Sequence, residues 1–478
     1  MLGLQALYDR LPVPAQHLAA SLQGARYAHA RYGREYSRHL EYLRATEFAP
    51  ADDMENLQVQ SLRSMVAFAA RYVPYYQRSF EKSGLRPHFV DRIEDLSRIP
   101  LTSKADLRRK PSDFLAQFPF RRDLIRWQTS GTTGSPIQLF YEPEANERLY
   151  AFVELYRNQA CVSRADRRAQ FTGKPIVPAR QREGTRVFWR FDAANRSLLL
   201  SSVHLLPANL PDYASALRRY APAYLCGYPS AMYVLAQYFL RTGEGAPRLR
   251  AALTSAETLL PHQRKAIEEA FQTRVFDQYG QTEMQSFWYE CCFGAMHAHP
   301  LAGVTEILRQ DGTPAPPGEE GEVVLTGLIN RAMPLLRYRI GDRASFSAGP
   351  PCPCGRKMKV IRTLGGRKED FLYTRERGFL GRLDPVFKGV SGIVESQIVQ
   401  ESLDMLKVYY TPEPDATDGD LANLLTNLRA SVGGEIGIEF VKSPHIPRTA
   451  NGKFRAVVSH LPGNFGVGEI PQTRGGSR

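Results

Sequence analysis

The sequence predicts an α/β protein: a large N-terminal domain of mixed sheets and helices and a small, mobile α+β C-terminal domain. Three observations predict it. Short apolar runs alternate with helical patterns between residues 125 and 345. The pair Gly365-Gly366 then interrupts the pattern. Beyond it lies a stretch of about a hundred residues with its own strand and helix periodicities.

Each element has a local reason. Residues 1–95 read as helical, with Tyr27, Tyr32, Tyr36, Leu40 and Leu43 at roughly helical spacing. Val73-Pro74-Tyr75-Tyr76 begins another helix. Ile99-Pro100-Leu101-Thr102-Ser103-Lys104 is a loop whose Ser103 N-caps a helix over 104–107. A strand over 125–128 feeds the segment Thr129-Ser130-Gly131-Thr132-Thr133-Gly134-Ser135-Pro136. A helix follows over 149–159. Leu225-Cys226-Gly227-Tyr228 and residues 251–254 are buried strands, separated by a helix over 230–240. Next come a helix over 261–271 and a strand at Val275-Phe276. A β segment over 322–326 follows the turn Pro316-Pro317-Gly318. The predicted division is a large domain over 1–365, a small one over 366–462 and a disordered tail over 463–478. In the small domain 406–410 is a strand. Leu421, Leu424, Leu425 and Leu428 give one apolar helical face, and Ile436, Ile438 and Phe440 alternate as a strand does.

Composition narrows the function classes. Of 478 residues, 43% are hydrophobic and 23% charged, which suits a packed core under a hydrated surface. No apolar run reaches spanning length, so membrane insertion is not expected. Asp9 and Arg10 cut short the apolar start, so a cytoplasmic enzyme is expected. The net charge is +13, densest over 104–196, but no Lys/Arg block with interleaved aromatics points to nucleic acid. Anionic small substrates or a solubilising surface account for the charge equally well. The six cysteines form no disulfide framework in a reducing compartment.

Four segments carry chemistry. The loop over 129–136 offers hydroxyls and backbone N–H groups, and Gly131 and Gly134 let it close on phosphate oxygens. Asp277-Gln278-Tyr279-Gly280-Gln281-Thr282-Glu283 follows a predicted strand, where α/β crevices open. Its Glu283 suits a magnesium ion. Arg337-Tyr338-Arg339-Ile340-Gly341-Asp342 places an Asp after a glycine turn. Gly366-Arg367-Lys368-Glu369-Asp370 suits a hinge. Taken singly, each also suits an ordinary turn or linker.

Taken in order, with Lys453 in Pro447-Arg448-Thr449-Ala450-Asn451-Gly452-Lys453 after them, they resemble the adenylate-forming superfamily of acyl-CoA ligases over nearly the whole chain. The resemblance is closest to its phenylacetate–CoA ligase-like branch, and within it to CapK-like proteins. Thr254-Ser255-Ala256-Glu257, Cys226-Gly227-Tyr228-Pro229-Ser230 and Cys352-Pro353-Cys354-Gly355-Arg356 belong to the same pattern.

The resemblance implies ATP, magnesium and coenzyme A as cofactors, and a carboxylic acid, aromatic or related, as substrate. Ser130, Gly131, Thr132, Thr133 and Gly134 would grip the β- and γ-phosphates. Ser255, Ala256 and Glu257 would line the adenine side. Gln278, Tyr279, Gly280, Gln281 and Thr282 would close over the base and α-phosphate, with Glu283 on magnesium. Asp342 would bind the ribose, and Arg367 would approach it from the hinge. Lys453 would bridge the acid and the α-phosphate, where a compact cation lowers the barrier most. The small domain would then swing away to admit the thiol. Ser135 stands where the family often has lysine, which would leave γ-phosphate neutralisation to magnesium or to Lys104. An amine acceptor in place of coenzyme A is the alternative, a non-catalytic nucleotide-binding scaffold a more distant one, and a homodimer stays open.

The cysteines add a metal expectation. Cys291 or Cys292, His297 or His299, and the pair Cys352 and Cys354 supply a Cys3His set for a structural zinc. Cys291, His297, Cys352 and Cys354 are the favoured four.

Overall fold

In a computed structural model the described residues are 7–120, 122–128, 137–172, 176–178, 181, 184–202, 204–205, 207–367, 372–376, 378–380, 386, 393–412, 416–448 and 454–461. The chain divides into two compact units, one within Met1–Leu364 and the other over Gly365–Thr449 and the residues from Phe454 onward.

The first unit opens with helices α1 (Val13–Arg31), α2 (Arg34–Thr46), α3 (Ala51–Tyr72), α4 (Pro74–Lys82) and the short α5 (Lys104–Arg109). The single run of Tyr and Leu spacing breaks at Gly33. The cause lies far along the chain. The Glu147 carboxylate accepts a hydrogen bond from Tyr36 N at 3.0 Å, at the N-terminus of α2. A Cβ on Gly33 would lie 2.5 Å from that carboxylate, so a larger residue would require Glu147 to shift. Tyr36, Leu40 and Leu43 are buried, as their spacing requires. Ser103 caps α5 as its sequence suggests: its Oγ accepts from Asp106 N at 3.3 Å, and Asp106 Oδ2 accepts from Ser103 N at 3.1 Å.

Strands β1 (Ile125–Gln128) and β2 (Gln138–Tyr141) pair antiparallel. Helix α6 (Pro143–Gln159) starts earlier than the predicted 149, with Pro143 preorganising its first turn. The main sheet takes β3 (Arg168–Thr172), β4 (Trp189–Asp192), β5 (Ser197–Ser201), β6 (Tyr224–Gly227), β7 (Ala251–Ser255), β8 (Val275–Gly280), β9 (Phe287–Glu290), β10 (Met296–Ala298), β11 (Gly303–Leu308), β12 (Gly321–Gly327), β13 (Tyr338–Phe346) and β14 (Val360–Arg367). Their spatial order is β11-β12-β13-β14-β10-β9-β8-β7-β6-β3-β5-β4. The run from β5 through β3, β6 and β7 to β8 is parallel. Helices α7 (Leu210–Tyr220), α8 (Pro229–Thr242) and α9 (Pro261–Phe271) carry the chain between successive parallel strands. The predicted strand at Val275-Phe276 runs on to Gly280. Asp277, Gln278, Tyr279 and Gly280 are therefore inside a strand, not after it.

The second unit holds the hairpin β15 (Leu372–Thr374) and β16 (Gly378–Leu380). It also holds a sheet of β17 (Ile393–Ser402), β18 (Met405–Pro412), β19 (Gly437–Lys442) and β20 (Val457–Ser459) in the order β19-β18-β17-β20. Helix α10 (Asp418–Val432) buries Leu424 and Leu428 against it, whereas Leu425 turns to solvent. The tail over 463–478 lies outside the described residues. Among the described residues, no helix is long and apolar enough to cross a membrane.

Candidate functional site

Parallel strands expose their last peptide groups at one edge, and ligands bind α/β sheets there. In the first unit the C-terminal ends of β6, β7 and β8 form that edge. Ser255 and Gln278 are register partners, so the Ser255-Ala256-Glu257 and Gln278-Tyr279-Gly280 segments lie side by side. Ala256 has φ +70°, a left-handed conformation that turns the chain sharply off the strand end. The Glu257 carboxylate accepts from Ser230 N at 3.2 Å in the first turn of α8, where the helix dipole favours an anion. Burial, with the Glu257 charge adding, pushes the neighbouring Tyr228 phenol up to about 12.

Tyr279 joins this edge to β13. Its hydroxyl donates to Asp342 Oδ2 at 2.5 Å, and its ring packs on the fully buried Trp288 with centroids 4.3 Å apart. Two residues expected to hold base and ribose thus touch one another. Thr282 and Glu283 come next. Glu283 is buried, and the Tyr141 hydroxyl donates to Thr282 O. Burial raises the Tyr141 pKa, and the Glu283 carboxylate raises it further. Met284 follows at φ +56°, and Gln281 Nε2 donates to Ser286 Oγ at 2.8 Å, so this turn is held by its own side chains. Asp277 faces inward: Thr254 Oγ1 donates to its Oδ1 at 2.7 Å, and burial pushes its pKa to about 6 against that hydrogen bond. It supports the strand and does not face the edge.

Ser130, Gly131, Thr132, Thr133, Gly134 and Ser135 lie outside the described residues, as does Lys453. Arg367 closes β14. The Lys104 ammonium lies against Gly341, 3.7 Å from where a Cβ there would sit.

A second cluster stands around β9 and β10. One ligand atom from each of Cys291, His297, Cys352 and Cys354 lies within 4.8 Å of the others. The Cys291 and Cys352 sulfurs are 3.7 Å apart, and Cys354 Sγ is 3.3 Å from His297 Nε2. Tetrahedral zinc, with Zn–S of about 2.3 Å, spaces its donors at about 3.7 Å, so the set fits the ion. Burial and the nearby Arg356 guanidinium lower the His297 pKa to about 4, so the ring is neutral, as a ligand must be. Burial and the adjoining sulfurs push Cys352 up to about 12. At Cys354 burial is outweighed by Arg356, which draws the thiol down. A divalent cation reverses such crowding, because coordination deprotonates thiols outright. Of the open choices, Cys292 is exposed, and His299 packs edge-on against Phe152 with its Nδ1 accepting from Leu301 N at 3.3 Å. Neither belongs to the four.

Several supporting residues escape the sequence. Arg356 Nε donates to Glu47 Oε1 at 2.9 Å in a buried ion pair, and Gln159 joins them. The pair ties the Cys-Pro-Cys-Gly knuckle to the α2–α3 loop and to α6. Arg356 follows the knuckle directly, so a signal for it existed. Nothing near Glu47 or Trp288 marks them, whereas Phe140-Tyr141 reads from the sequence as a candidate pocket wall.

A family profile described as the CapK C-terminal domain matches residues 372–460. Protein CapK of Staphylococcus aureus is 27% identical over 463 residues, which cover 96% of this chain and 100% of that one. A phenylacetate-coenzyme A ligase of Thermus thermophilus is 27% identical over 340 residues, 69% of this chain and 74% of the relative. Among solved structures, a 2-hydroxyisobutyryl-CoA ligase in its postadenylation state superposes with a TM-score of 0.68 at 21% identity, covering 87% of this chain and 91% of that one. That likeness establishes the fold. In sequence the chain is similar to CapK and to phenylacetate–CoA ligases, its residues 372–460 match the CapK C-terminal domain, and its fold is that of the adenylate-forming CoA ligases.

Proposed function

We propose that this protein is an AMP-forming acid–thiol ligase that activates a carboxylic acid with ATP and passes the acyl group to coenzyme A. The observation that carries the reading is the Tyr279–Asp342 hydrogen bond beside the paired tips of β7 and β8. A phenol over a buried indole offers a stacking surface for a base. The carboxylate beside it accepts the two hydroxyls of a ribose, and Ser255 and Gln278 border the same edge.

In the first half-reaction a carboxylate oxygen of the acid attacks the α-phosphorus, the bond to the bridging oxygen breaks, and pyrophosphate leaves. Ser130, Gly131, Thr132, Thr133 and Gly134 hold the departing phosphates. Lys453 supplies the cation for the charge that builds on the α-phosphate. In the second half-reaction the thiol of coenzyme A gives its proton to solvent, its sulfur attacks the acyl carbon, the bond from that carbon to the phosphate oxygen breaks, and AMP leaves. Glu283 is the residue that would hold magnesium, whose part is to neutralise the phosphates. Cys291, His297, Cys352 and Cys354 would hold a structural zinc, since four protein donors leave no position for water. The large domain over 1–365 would carry the nucleotide, and the small one over 366–462 would deliver Lys453. An aromatic acid is the first substrate to try, given the relatives named for phenylacetate.

A second acceptor is the alternative reading. Similarity to CapK spans 96% of the chain, whereas similarity to the phenylacetate ligase spans 69%. An amine that captures the adenylate as an amide is the second reading. Acid-dependent exchange of labelled pyrophosphate into ATP tests the shared half-reaction, and its absence over aromatic, aliphatic and amino acids would sink both readings. Coenzyme A then separates them: an active acid that yields no thioester leaves the amine.

A further inference from the structure

At the N-terminal edge of the parallel strands, opposite the edge described above, lies a set of arginines. Arg167 and Arg196 stand one position before β3 and β5, at matching register. The guanidinium of Arg167 covers the Tyr220 ring at 4.6 Å, and the Tyr220 hydroxyl donates to Arg196 O at 2.6 Å. Arg196 Nη1 in turn donates to Ala165 O at 3.1 Å, and Arg164 lies 4.2 Å over Tyr32. All three are exposed. Among the described residues none of them forms an ion pair with a carboxylate, in contrast to Arg250 nearby, which is held by Asp166. Arginines without a carboxylate partner keep most of their donors available for phosphate oxygens, beyond the one that Arg196 gives to Ala165 O.

Apolar surface adjoins these charges. Phe191, on the sheet's edge strand β4, contacts Tyr220 with ring centroids 5.9 Å apart and is 38% exposed. Helix α1 lies along the same strand: Phe191 N donates to His17 Nδ1 at 3.0 Å, and Ala193 N to Ser21 Oγ at 3.0 Å. Beside these contacts Leu18 and Leu22, one turn apart, are 62% and 65% exposed. The helix contains no acidic residue and ends in Ala28-His29-Ala30-Arg31.

We propose that this face, built from Arg164, Arg167 and Arg196 with Leu18, Leu22 and Phe191, docks peripherally on an anionic phospholipid surface. The chemistry selects that occupant. Headgroup phosphates meet the arginines, and the boundary of the acyl region accepts the leucines. A nucleic-acid backbone would leave Leu18 and Leu22 in water. A second copy on a two-fold axis would set the arginines against their equals. No helix needs to insert, and the strand edge that carries Tyr279 and Glu257 points the other way, so a docked molecule keeps its crevice open. The inference does not depend on the ligase reading.

Co-sedimentation of the full chain with phosphatidylglycerol-containing vesicles, against pure phosphatidylcholine, tests it. Binding is expected to the anionic vesicles alone and to weaken at about 0.5 M salt. Arg167→Glu with Arg196→Glu should lower partitioning at least about tenfold. Leu18→Ser with Leu22→Ser, at exposed positions that leave the fold intact by circular dichroism, should weaken it several-fold. Folded wild-type protein that ignores anionic vesicles at about 0.1 M salt, or variants that partition as wild type does, would overturn the proposal. So would tighter binding to a DNA duplex that the leucine changes leave untouched, or a wild-type dimer in light scattering that those changes dissolve.

Discussion

The strand-tip edge that carries Tyr279 and the Cys/His cluster are built on opposite principles. At the edge, polar groups pair with one another: Tyr279 with Asp342, Glu257 with Ser230 N, Tyr141 with Thr282 O. Each such contact can be traded for one to a ligand at little net cost, because hydrogen bonds are exchanged, not lost. In the cluster, three sulfurs and a neutral imidazole crowd together and repel one another's ionised forms. A bound cation would relieve that crowding. It is locked from outside by the Arg356–Glu47 pair, whose side chains are 5% and 10% exposed. One region is made to exchange partners and the other to keep one.

The contrast breaks most readily at the lock. Glu47→Ala leaves Arg356 buried and unpaired, so stability should fall by about 3–5 kcal/mol. Bound zinc, about one equivalent by elemental analysis in the wild type, should fall with it. A variant that melts as wild type does and keeps its metal would show the pair to be idle. Lys453→Ala should slow acyl-adenylate formation by roughly 10²–10³-fold while ATP binding persists, as read by pyrophosphate exchange and calorimetry. Unchanged exchange would remove this lysine from the mechanism.

Asp277 offers a pH test that bears on neither cluster directly. Its folded pKa, about 6, stands above the ordinary 3.8, so the folded state binds the proton more tightly. Stability should therefore fall as pH rises from about 4 to 6, by up to about 3 kcal/mol. Asp277→Asn should flatten that limb of the denaturation profile. Tyr279→Phe keeps the stacking ring but deprives Asp342 of a charge-assisted bond of about 1.5–3 kcal/mol. If ligand groups replace that bond, the change should cost stability in the free protein and little ATP affinity. A large loss of affinity with no loss of stability would invert the interpretation. The smallest effect belongs to Ser103→Ala, about 1 kcal/mol for a lost cap, read by thermal melting.

Where local chemistry decides structure, the residues announce it. The helix over 261–271 lies where periodicity puts it, with Pro261 at its start. Ser103 caps as its Ser-x-x-Asp spacing suggests. The favoured set Cys291, His297, Cys352 and Cys354 also converges, because β9 and β10 pair antiparallel across a short turn and hold His297 opposite Tyr289. Where a distant partner decides, the residues were silent. The break at Gly33 answers to Glu147, the Tyr279 hydroxyl to Asp342, and Arg356 to Glu47. Leu425 shares a periodic face with Leu424 and Leu428 yet is 37% exposed while they are buried.

By itself the amino-acid order determined the α/β class, the Ser103 cap, the ordered motifs that carry the likeness to acyl-CoA ligases and the donor types of the Cys/His set, since all of these rest on spacing within a few turns or on residue identity. Only the tertiary structure decided which side chains face each other: which cysteine and histidine close the cluster, which carboxylate meets the start of the second helix, and which arginines, among the described residues, form no ion pair. Those are contacts between residues remote in sequence, and local propensity carries no information about a partner that the fold alone brings near.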